Sequence, residues 1–124
     1  MTLVSITVCA KNAENWVHQC LSSLFSQDHR PLEIIAVNDG STDSTLEKMK
    51  IFKEKNQNPD INLTIIDSKA QGLSAGRQIG LDRSKGVWVA ITDIDCRPEP
   101  NWISSMISVS EGYPSEDVMA VTGR

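Results

Sequence analysis

Segments with the composition of β-strands alternate along this chain with segments whose apolar residues recur at helical spacing. The predicted strands are Leu3–Ala10, Leu32–Asp39, Ile61–Asp67, Val87–Asp93 and Val118–Gly123. A helix is predicted after each of the first four strands, and Gly86 is predicted to cap the end of the third helix. Such alternation predicts a mostly parallel sheet with helices on both faces. The expected fold is therefore α/β and Rossmann-like, in the order β-α-β-α-β-α-β-α-β.

Length and composition narrow the classes of protein to consider. The 124 residues suit a single domain, and the formal net charge of −4, without a Lys or Arg cluster, argues against nucleic acid as a partner. No apolar run approaches the ~18 residues of a membrane span, and we recognise no signal peptide. Three cysteines without paired spacing predict no disulfide framework. We therefore expect a reducing, cytoplasmic location.

Acidic residues end three of the predicted strands: Asp39, Asp67 and Asp93. Because ligands of parallel α/β sheets bind at the carboxyl ends of the strands, we expect these residues to share one rim. The stretch VNDGSTD around Asp39 has two interpretations. It is either a strand-to-helix turn with a capped helix, or a site where the Asp39 carboxylate binds the base or ribose of a nucleotide.

The stretch QGLSAGRQIG places Gly72, Gly76 and Gly80 four residues apart. This spacing is neither that of a dinucleotide-binding loop nor that of a Walker loop. One interpretation is a small-residue helix packed closely on the sheet. The other is a helix whose first N–H groups face an anion, with Arg77 as a phosphate or base contact.

The stretch TDID places Asp93 and Asp95 one residue apart at a strand end. Two carboxylates, with no His or Cys expected beside them, suit a hard divalent ion such as Mg²⁺ or Mn²⁺. Such an ion would keep coordination positions open for phosphate oxygens. The alternative is an acidic turn, in which one Asp caps the helix starting near Asn101 or pairs with Arg97.

Four ordered segments carry a resemblance to a known family: VSITVCAKNAENWVHQCLSSLFSQ, EIIAVNDGSTDST, GLSAGRQIGLDRSKGVWVAITDID and CRPEPNWI. Together they resemble the N-terminal, donor-binding half of a family 2 glycosyltransferase with a GT-A fold. The resemblance implies an enzyme of the EC 2.4 class, which transfers a sugar from a nucleotide-sugar to an acceptor hydroxyl with inversion. A non-catalytic nucleotide-binding module is the alternative.

The resemblance implies that a nucleotide lies against the ends of the first two strands. Ala10, Lys11 and Asn12 would line its pocket, and Asp39 would hold its base. A UDP-sugar is favoured over a GDP-sugar as the donor. The acceptor would be a glycan, a lipid or another hydroxyl compound, and the chain itself implies no membrane.

The diphosphate and its ion would lie nearer the third helix and the fourth strand. Gly72 and Arg77 would border the ribose and diphosphate, as the resemblance implies. Asp93 would contact ribose or metal, and Asp95 would bind the Mg²⁺ or Mn²⁺ ion that bridges the diphosphate. In the family, the general base lies in the second half, so we expect it beyond Arg124 and assign no catalytic residue here.

The chain also departs from the family pattern at several positions. Cys9 and Lys11 stand where Pro and Tyr are frequent, and Gly76 stands where Ala is usual. Asn38 replaces the first acid of the common paired-Asp version, which removes one possible ribose contact.

Overall fold

The structure, a computed structural model, describes residues 2–69 and 71–111. Over this part the predicted alternation of strands and helices is confirmed. The elements are β1 Val4–Ala10, α1 Val17–Phe25, β2 Leu32–Asp39, α2 Thr45–Lys55, β3 Ile61–Ser68, α3 Leu73–Arg83, β4 Trp88–Asp93 and α4 Trp102–Glu111. The predicted fifth strand, Val118–Gly123, lies outside the described residues.

The four strands form one parallel sheet in the order β3-β2-β1-β4. Every residue of β1 and of β2 is buried, which fits two inner strands covered on both faces. On β4, by contrast, Val89 and Ile91 are 37% and 44% exposed. Helices therefore flank the sheet on both faces as predicted, and among the described strands they cover β1 and β2 more fully than β4.

One face of the sheet packs against α1, α2 and α4 through large apolar side chains. The buried residues of α1 recur every three or four positions, as an amphipathic helix requires: Val17, Cys20, Leu21 and Leu24. Met49 and Phe52 of α2, together with Ile103 of α4, belong to the same core. This core contains most of the buried apolar side chains that the structure describes.

The other face packs against α3, and here the helix backbone comes close to the strands. A Cβ added at Gly76 would lie 2.2 Å from Cys9 Sγ, and one added at Gly80 would lie 1.9 Å from Thr7 Oγ1. Only glycine allows so close an approach. The packing interpretation is thus confirmed for Gly76 and Gly80, whereas a Cβ at Gly72 would meet nothing within 4 Å.

The loop from α3 to β4 is fixed by a buried glutamate. Glu33 is 4% exposed, and its Oε2 accepts hydrogen bonds from Ser5 Oγ (2.6 Å) and the Lys85 backbone N–H (2.8 Å). Gly86 lies beside this group rather than at the helix end, because α3 ends at Arg83 with Ser84 as its C-cap. A Cβ at Gly86 would lie 2.6 Å from the Ser5 backbone nitrogen, so its small size serves close packing. The prediction that Gly86 caps the helix is wrong.

The helices are short. The longest of those described, α2 and α3, have 11 residues each, whereas a bilayer needs about 20 apolar residues. None of the described helices could therefore span a membrane.

Candidate nucleotide and metal site

The carboxyl ends of the four strands meet at one rim, because all the strands are parallel. In the sheet register, Ala10 pairs with Asn38, Asn38 with Asp67, and Cys9 with Asp93. Asp39 follows Asn38 at the end of β2. The expectation that the three strand-ending acids share a rim is confirmed.

The Asp39 carboxylate holds the turn that opens α3. The residue is 2% exposed, and its Oδ1 and Oδ2 accept hydrogen bonds from the N–H groups of Gln71 (3.0 Å) and Gly72 (3.2 Å). Gly72 has a φ of +98°, a conformation that glycine adopts at little cost. Two backbone donors therefore point at Asp39, and an anion at this helix start would have to meet N–H groups further along α3.

The side chain of Asn38, beside Asp39, contains an acceptor oxygen that lacks a hydrogen bond from any described residue. Its side chain is buried, and its Nδ2 donates to Asp67 Oδ1 at 3.0 Å. Its Oδ1 has no hydrogen-bond partner among the described residues. Because a buried polar atom without a partner costs stability, this oxygen is a feature of the rim that a ligand or water could satisfy.

The loops after β1 and β2 are tied together through Asn12. Asn12 has a φ of +49°, its N–H donates to Ser41 Oγ (2.9 Å), and its Oδ1 accepts from the Thr42 N–H (2.8 Å). Ala10 is buried, whereas Lys11 and Asn12 are exposed. Of the three predicted pocket residues, Lys11 and Asn12 can therefore present side chains to a ligand, and Ala10 can only shape the floor.

A second pair of contacts joins the same two loops. Asp43 Oδ1 accepts from the Thr45 N–H (3.0 Å) and from the Thr45 hydroxyl, while Asp43 Oδ2 accepts from the Glu14 N–H (3.3 Å). The hydrogen bond from the Thr45 side chain is the main reason why the pKa of Asp43 is lowered. Ser44, the N-cap of α2, makes no side-chain capping bond, and the cap expected for this helix is supplied instead by Asp43.

Asp93 and Asp95 lie on one tight turn after β4. The turn is closed by a hydrogen bond of 3.0 Å from the Cys96 N–H to the Asp93 carbonyl oxygen. Arg77 Nη2 of α3 lies 2.9 Å from Asp93 Oδ1, with the two side chains 40% and 57% exposed. Arg77, rather than Arg97, is therefore the ion-pair partner that the structure records for this turn.

The turn brings three possible metal ligands together. One carboxylate oxygen each from Asp93 and Asp95 and the Sγ of Cys96 lie within 4.8 Å of one another, and all three residues are exposed. This donor set fits a divalent ion. We expected no Cys beside the acids, and that expectation is wrong: Cys96 directly follows Asp95, and this adjacency alone could have revealed it.

Two residues of the chain segment around α1 hold the region that runs from this turn to the start of α4, and neither was predicted. Cys20 Sγ donates to the Asp93 carbonyl oxygen at 3.8 Å, and burial raises the pKa of the Cys20 thiol to about 12. Gln27 is 1% exposed; its Nε2 donates to the Glu99 carbonyl (2.7 Å) and its Oε1 accepts from the Ile103 N–H (3.1 Å). The start of α4 is thus held by Gln27 rather than by an Asp of the turn.

An open cleft of about 710 Å³ lies beside the turn. Its lining includes Arg77, Asp93, Cys96, Arg97 and Trp102. The cleft therefore adjoins the cluster of possible metal ligands, and it carries two cationic side chains that could meet an anionic or polar ligand.

The comparison with known protein families agrees with this geometry. The family described as Glycosyl transferase family 2 matches residues 5–123, nearly the whole chain. This chain belongs to glycosyl transferase family 2. It is 34% identical over 113 residues to Glycosyltransferase GlyA of Streptococcus pneumoniae serotype 4, and this stretch covers 91% of the chain but 16% of GlyA.

Solved structures show which fold this family 2 chain adopts. It is similar to the mannosyltransferase PcManGT from Pyrobaculum calidifontis in complex with GDP-Man and Mn²⁺ (TM-score 0.80, 24% identity, 86% of this chain and 32% of that one). It is also similar to S. aureus TarS in complex with UDP-GlcNAc (TM-score 0.77, 23% identity, 90% of this chain and 32% of that one). The fold is GT-A. The chain spans 32% of the PcManGT chain, 32% of the TarS chain of residues 1–349 and 16% of GlyA.

Proposed function

We propose that this family 2 chain supplies the donor-binding part of a metal-dependent, inverting glycosyltransferase. The protein would transfer a sugar from a nucleotide-sugar to an acceptor hydroxyl. The observation that carries the proposal is the turn at the strand rim, where oxygens of Asp93 and Asp95 lie within 4.8 Å of each other beside an open cleft. In a chain of this family, that is where a diphosphate and its ion would bind.

Asp93 and Asp95 would hold a Mg²⁺ or Mn²⁺ ion. When bound, the ion would supply positive charge against the charge that develops on the leaving diphosphate. Arg77 would add a guanidinium on the same side, because it already contacts Asp93 and lines the cleft. The Cys20 contact would keep the turn in place while the ligand binds, and Gln27 would hold the segment that follows it at Glu99.

The nucleotide would lie between the Asn12 loop and the turn at Gly72. Asp39 would accept a hydrogen bond from the base, and the N–H groups that it already binds leave a lone pair on each of its oxygens. Uracil and guanine each have a ring N–H that could donate to this carboxylate, and a UDP-sugar is proposed as the donor from the family resemblance alone. Fold neighbours in complex with GDP-Man and with UDP-GlcNAc are compatible with either nucleotide.

The acceptor site and the general base would be contributed by sequence beyond Arg124. A base must reach the attacking hydroxyl within hydrogen-bond distance, and we assign no residue of this chain to that role. The acceptor is proposed to be a glycan, a lipid or another hydroxyl compound. A cytoplasmic location is proposed as well, from the cysteine spacing of the sequence.

Calorimetric titration of UDP and GDP into the chain, with Mn²⁺ or with EDTA, tests the donor site. We expect Mn²⁺-dependent binding of UDP, and a loss of affinity of at least about tenfold in Asp95→Ala, which corresponds to ~1.4 kcal/mol. Asp60→Ala is the matched control, because Asp60 is an exposed acid that precedes β3, at the opposite edge of the sheet. Asp39→Ala is a poorer probe, since it would also release the amides of Gln71 and Gly72.

The outcomes separate the parts of the proposal. If the nucleotide still binds in EDTA and in Asp95→Ala, the metal has no part in donor binding, and that part of the proposal is wrong. Failure of both nucleotides to bind a folded chain would contradict the donor site itself. Donor binding by the full-length protein without transfer to any hydroxyl acceptor would favour a non-catalytic nucleotide-binding module.

A further inference from the structure

We propose that Cys96 is a third protein ligand of the ion at Asp93 and Asp95, and that the site therefore prefers Mn²⁺ and other sulfur-accepting ions to Mg²⁺. The proposal deepens the proposed function, on which its biological meaning rests. Two carboxylates alone are compatible with Mg²⁺ and Mn²⁺ alike. A thiolate donor would separate the two ions, because Mg²⁺ takes oxygen ligands.

The geometry of the turn places the Cys96 sulfur with the two carboxylates. Its Sγ lies 3.7 Å from Asp95 Oδ1, and the three donor atoms lie within 4.8 Å of one another. The Cys96 backbone is held by its N–H bond to the Asp93 carbonyl oxygen at 3.0 Å. An ion could therefore gather the three donors by side-chain rotation, without a change in the fold of the turn.

The charges of the site also suit such an ion. On coordination the Cys96 thiol would lose its proton to solvent, so that the ligand is a thiolate. The ion would then face three negative groups, of which Asp93 is partly balanced by Arg77 at 2.9 Å. Arg77 contacts Asp93 Oδ1, and the same carboxylate carries a second oxygen that an ion can use.

The other two cysteines are in different surroundings, which makes the proposal measurable. Cys20 is 0% exposed, and burial raises the pKa of its thiol to about 12. Cys9 is 8% exposed, and burial raises its thiol pKa too. Cys96 is the exposed one of the three. A thiolate–metal signal from the folded chain should therefore report on Cys96.

Titration with Co²⁺ in the absence of nucleotide tests the proposal directly. Thiolate coordination to Co²⁺ produces a charge-transfer absorption in the near ultraviolet, which oxygen ligands do not produce. We expect this band in the unmodified chain, its loss in Cys96→Ser, and its retention in the control Cys9→Ala, because Cys9 is buried and makes no hydrogen bond to the turn. We also expect Co²⁺ affinity to fall at least about tenfold in Cys96→Ser. Circular dichroism would establish that each variant is folded.

Two further arms distinguish a built site from a reactive thiol. In Asp95→Ala the band should weaken at a given Co²⁺ concentration, and an unchanged band would mean that the sulfur binds the ion alone and would overturn the proposal. Mn²⁺ should displace Co²⁺ at a lower concentration than Mg²⁺ does in the unmodified chain, and this difference should shrink in Cys96→Ser. Equal displacement by the two ions would overturn the stated preference.

Failure of this inference is distinguishable from failure of the proposed function. If Mn²⁺-dependent UDP or GDP binding is intact but no thiolate band forms with or without nucleotide, Cys96 is not a ligand and the donor site stands. If the band forms but neither nucleotide binds, the metal site stands and the donor site does not.

Discussion

The two faces of the sheet are packed by different means. On the α1 and α2 face, large aliphatic side chains such as Leu21 and Leu24 fill the space between the layers. On the α3 face, Gly76 and Gly80 let the helix backbone approach β1, and few large side chains take part. Packing on the first face depends on the volume of large side chains. Packing on the second face depends on the absence of side chains at Gly76 and Gly80.

The difference matters for the candidate site, because each face holds one part of it. The close approach of α3 places its first turn against Asp39 and its Arg77 against Asp93. The aliphatic face carries Cys20, which contacts the turn of possible metal ligands, and Gln27 after α1 holds the segment that follows this turn. Substitutions on the two faces should therefore disturb different parts of the site as well as stability.

The largest loss of stability is expected on the aliphatic face. Leu24→Ala removes a 0% exposed side chain from the core, and such changes cost about 2–5 kcal/mol in the free energy of unfolding. Leu81→Ala on α3 is the matched control, since Leu81 is 37% exposed and should cost about 1 kcal/mol or less. Urea denaturation measures both. Equal losses would mean that the two faces do not differ as described.

On the α3 face, we expect the addition of side-chain atoms, rather than their removal, to lower the stability. Gly80→Ala would place a Cβ 1.9 Å from Thr7 Oγ1 and 3.0 Å from Thr7 Cβ. We expect a loss of about 1–3 kcal/mol, although alanine is intrinsically about 1 kcal/mol better than glycine in a helix. Urea denaturation of Gly80→Ala in the Thr7→Ala background should show a smaller loss. If the loss is the same there, the contact with Thr7 is not its cause.

The different packing also explains which features could be predicted from the sequence. The amphipathic spacing of α1 and the apolar strands follow from local periodicity, so the α/β order was predictable. The glycine spacing of α3 predicted close packing but not its partners, Thr7 and Cys9. Those contacts join residues about 70 positions apart, and they exist only once the sheet has formed.

The candidate site likewise contains features that follow from local sequence and features that depend on tertiary packing. The two acids of the turn were predictable because one intervening residue keeps them together. The pairing of Arg77 with Asp93 and the hydrogen bonds between Gln27 and the start of α4 depend on how helices lie against the strands. Cys96 was missed although it is adjacent to Asp95, because only the oxygen donors of the motif were considered.

On the α3 face, a smaller loss of stability is expected from Gly76→Ala than from Gly80→Ala. A Cβ there would lie 2.2 Å from Cys9 Sγ, but the sulfur is a single atom that can rotate away, so Gly76→Ala should cost about 1 kcal/mol. Two of the departures from the family pattern, those at positions 9 and 76, are therefore neighbours across the interface of α3 with the sheet. In a double-mutant cycle, Cys9→Ala should offset part of the loss. Strict additivity of the two changes would show that the residues are not coupled.

The smallest change in stability is expected at the starts of the helices. There the two faces differ in how exposed the capping carboxylate is. The start of α2 is held by Asp43, near the surface, whereas the start of α3 is held by Asp39, which is 2% exposed. The pKa of Asp43 is lowered in the folded chain, chiefly by the Thr45 hydroxyl. Its carboxylate therefore stabilises the fold at pH values above about 3.9, the usual pKa of an unfolded Asp.

That stabilisation should disappear as the pH falls through the lowered pKa of the folded state. Asp43→Asn should therefore have a lower Tm than the unmodified chain at pH 7, and the gap should close as the pH is lowered below about 4. Thermal unfolding followed by circular dichroism across this range measures the gap. A gap that stays constant with pH would mean that Asp43 acts through the shape of the loop rather than through its charge. The start of α2 would then be fixed by packing, as the body of the helix is.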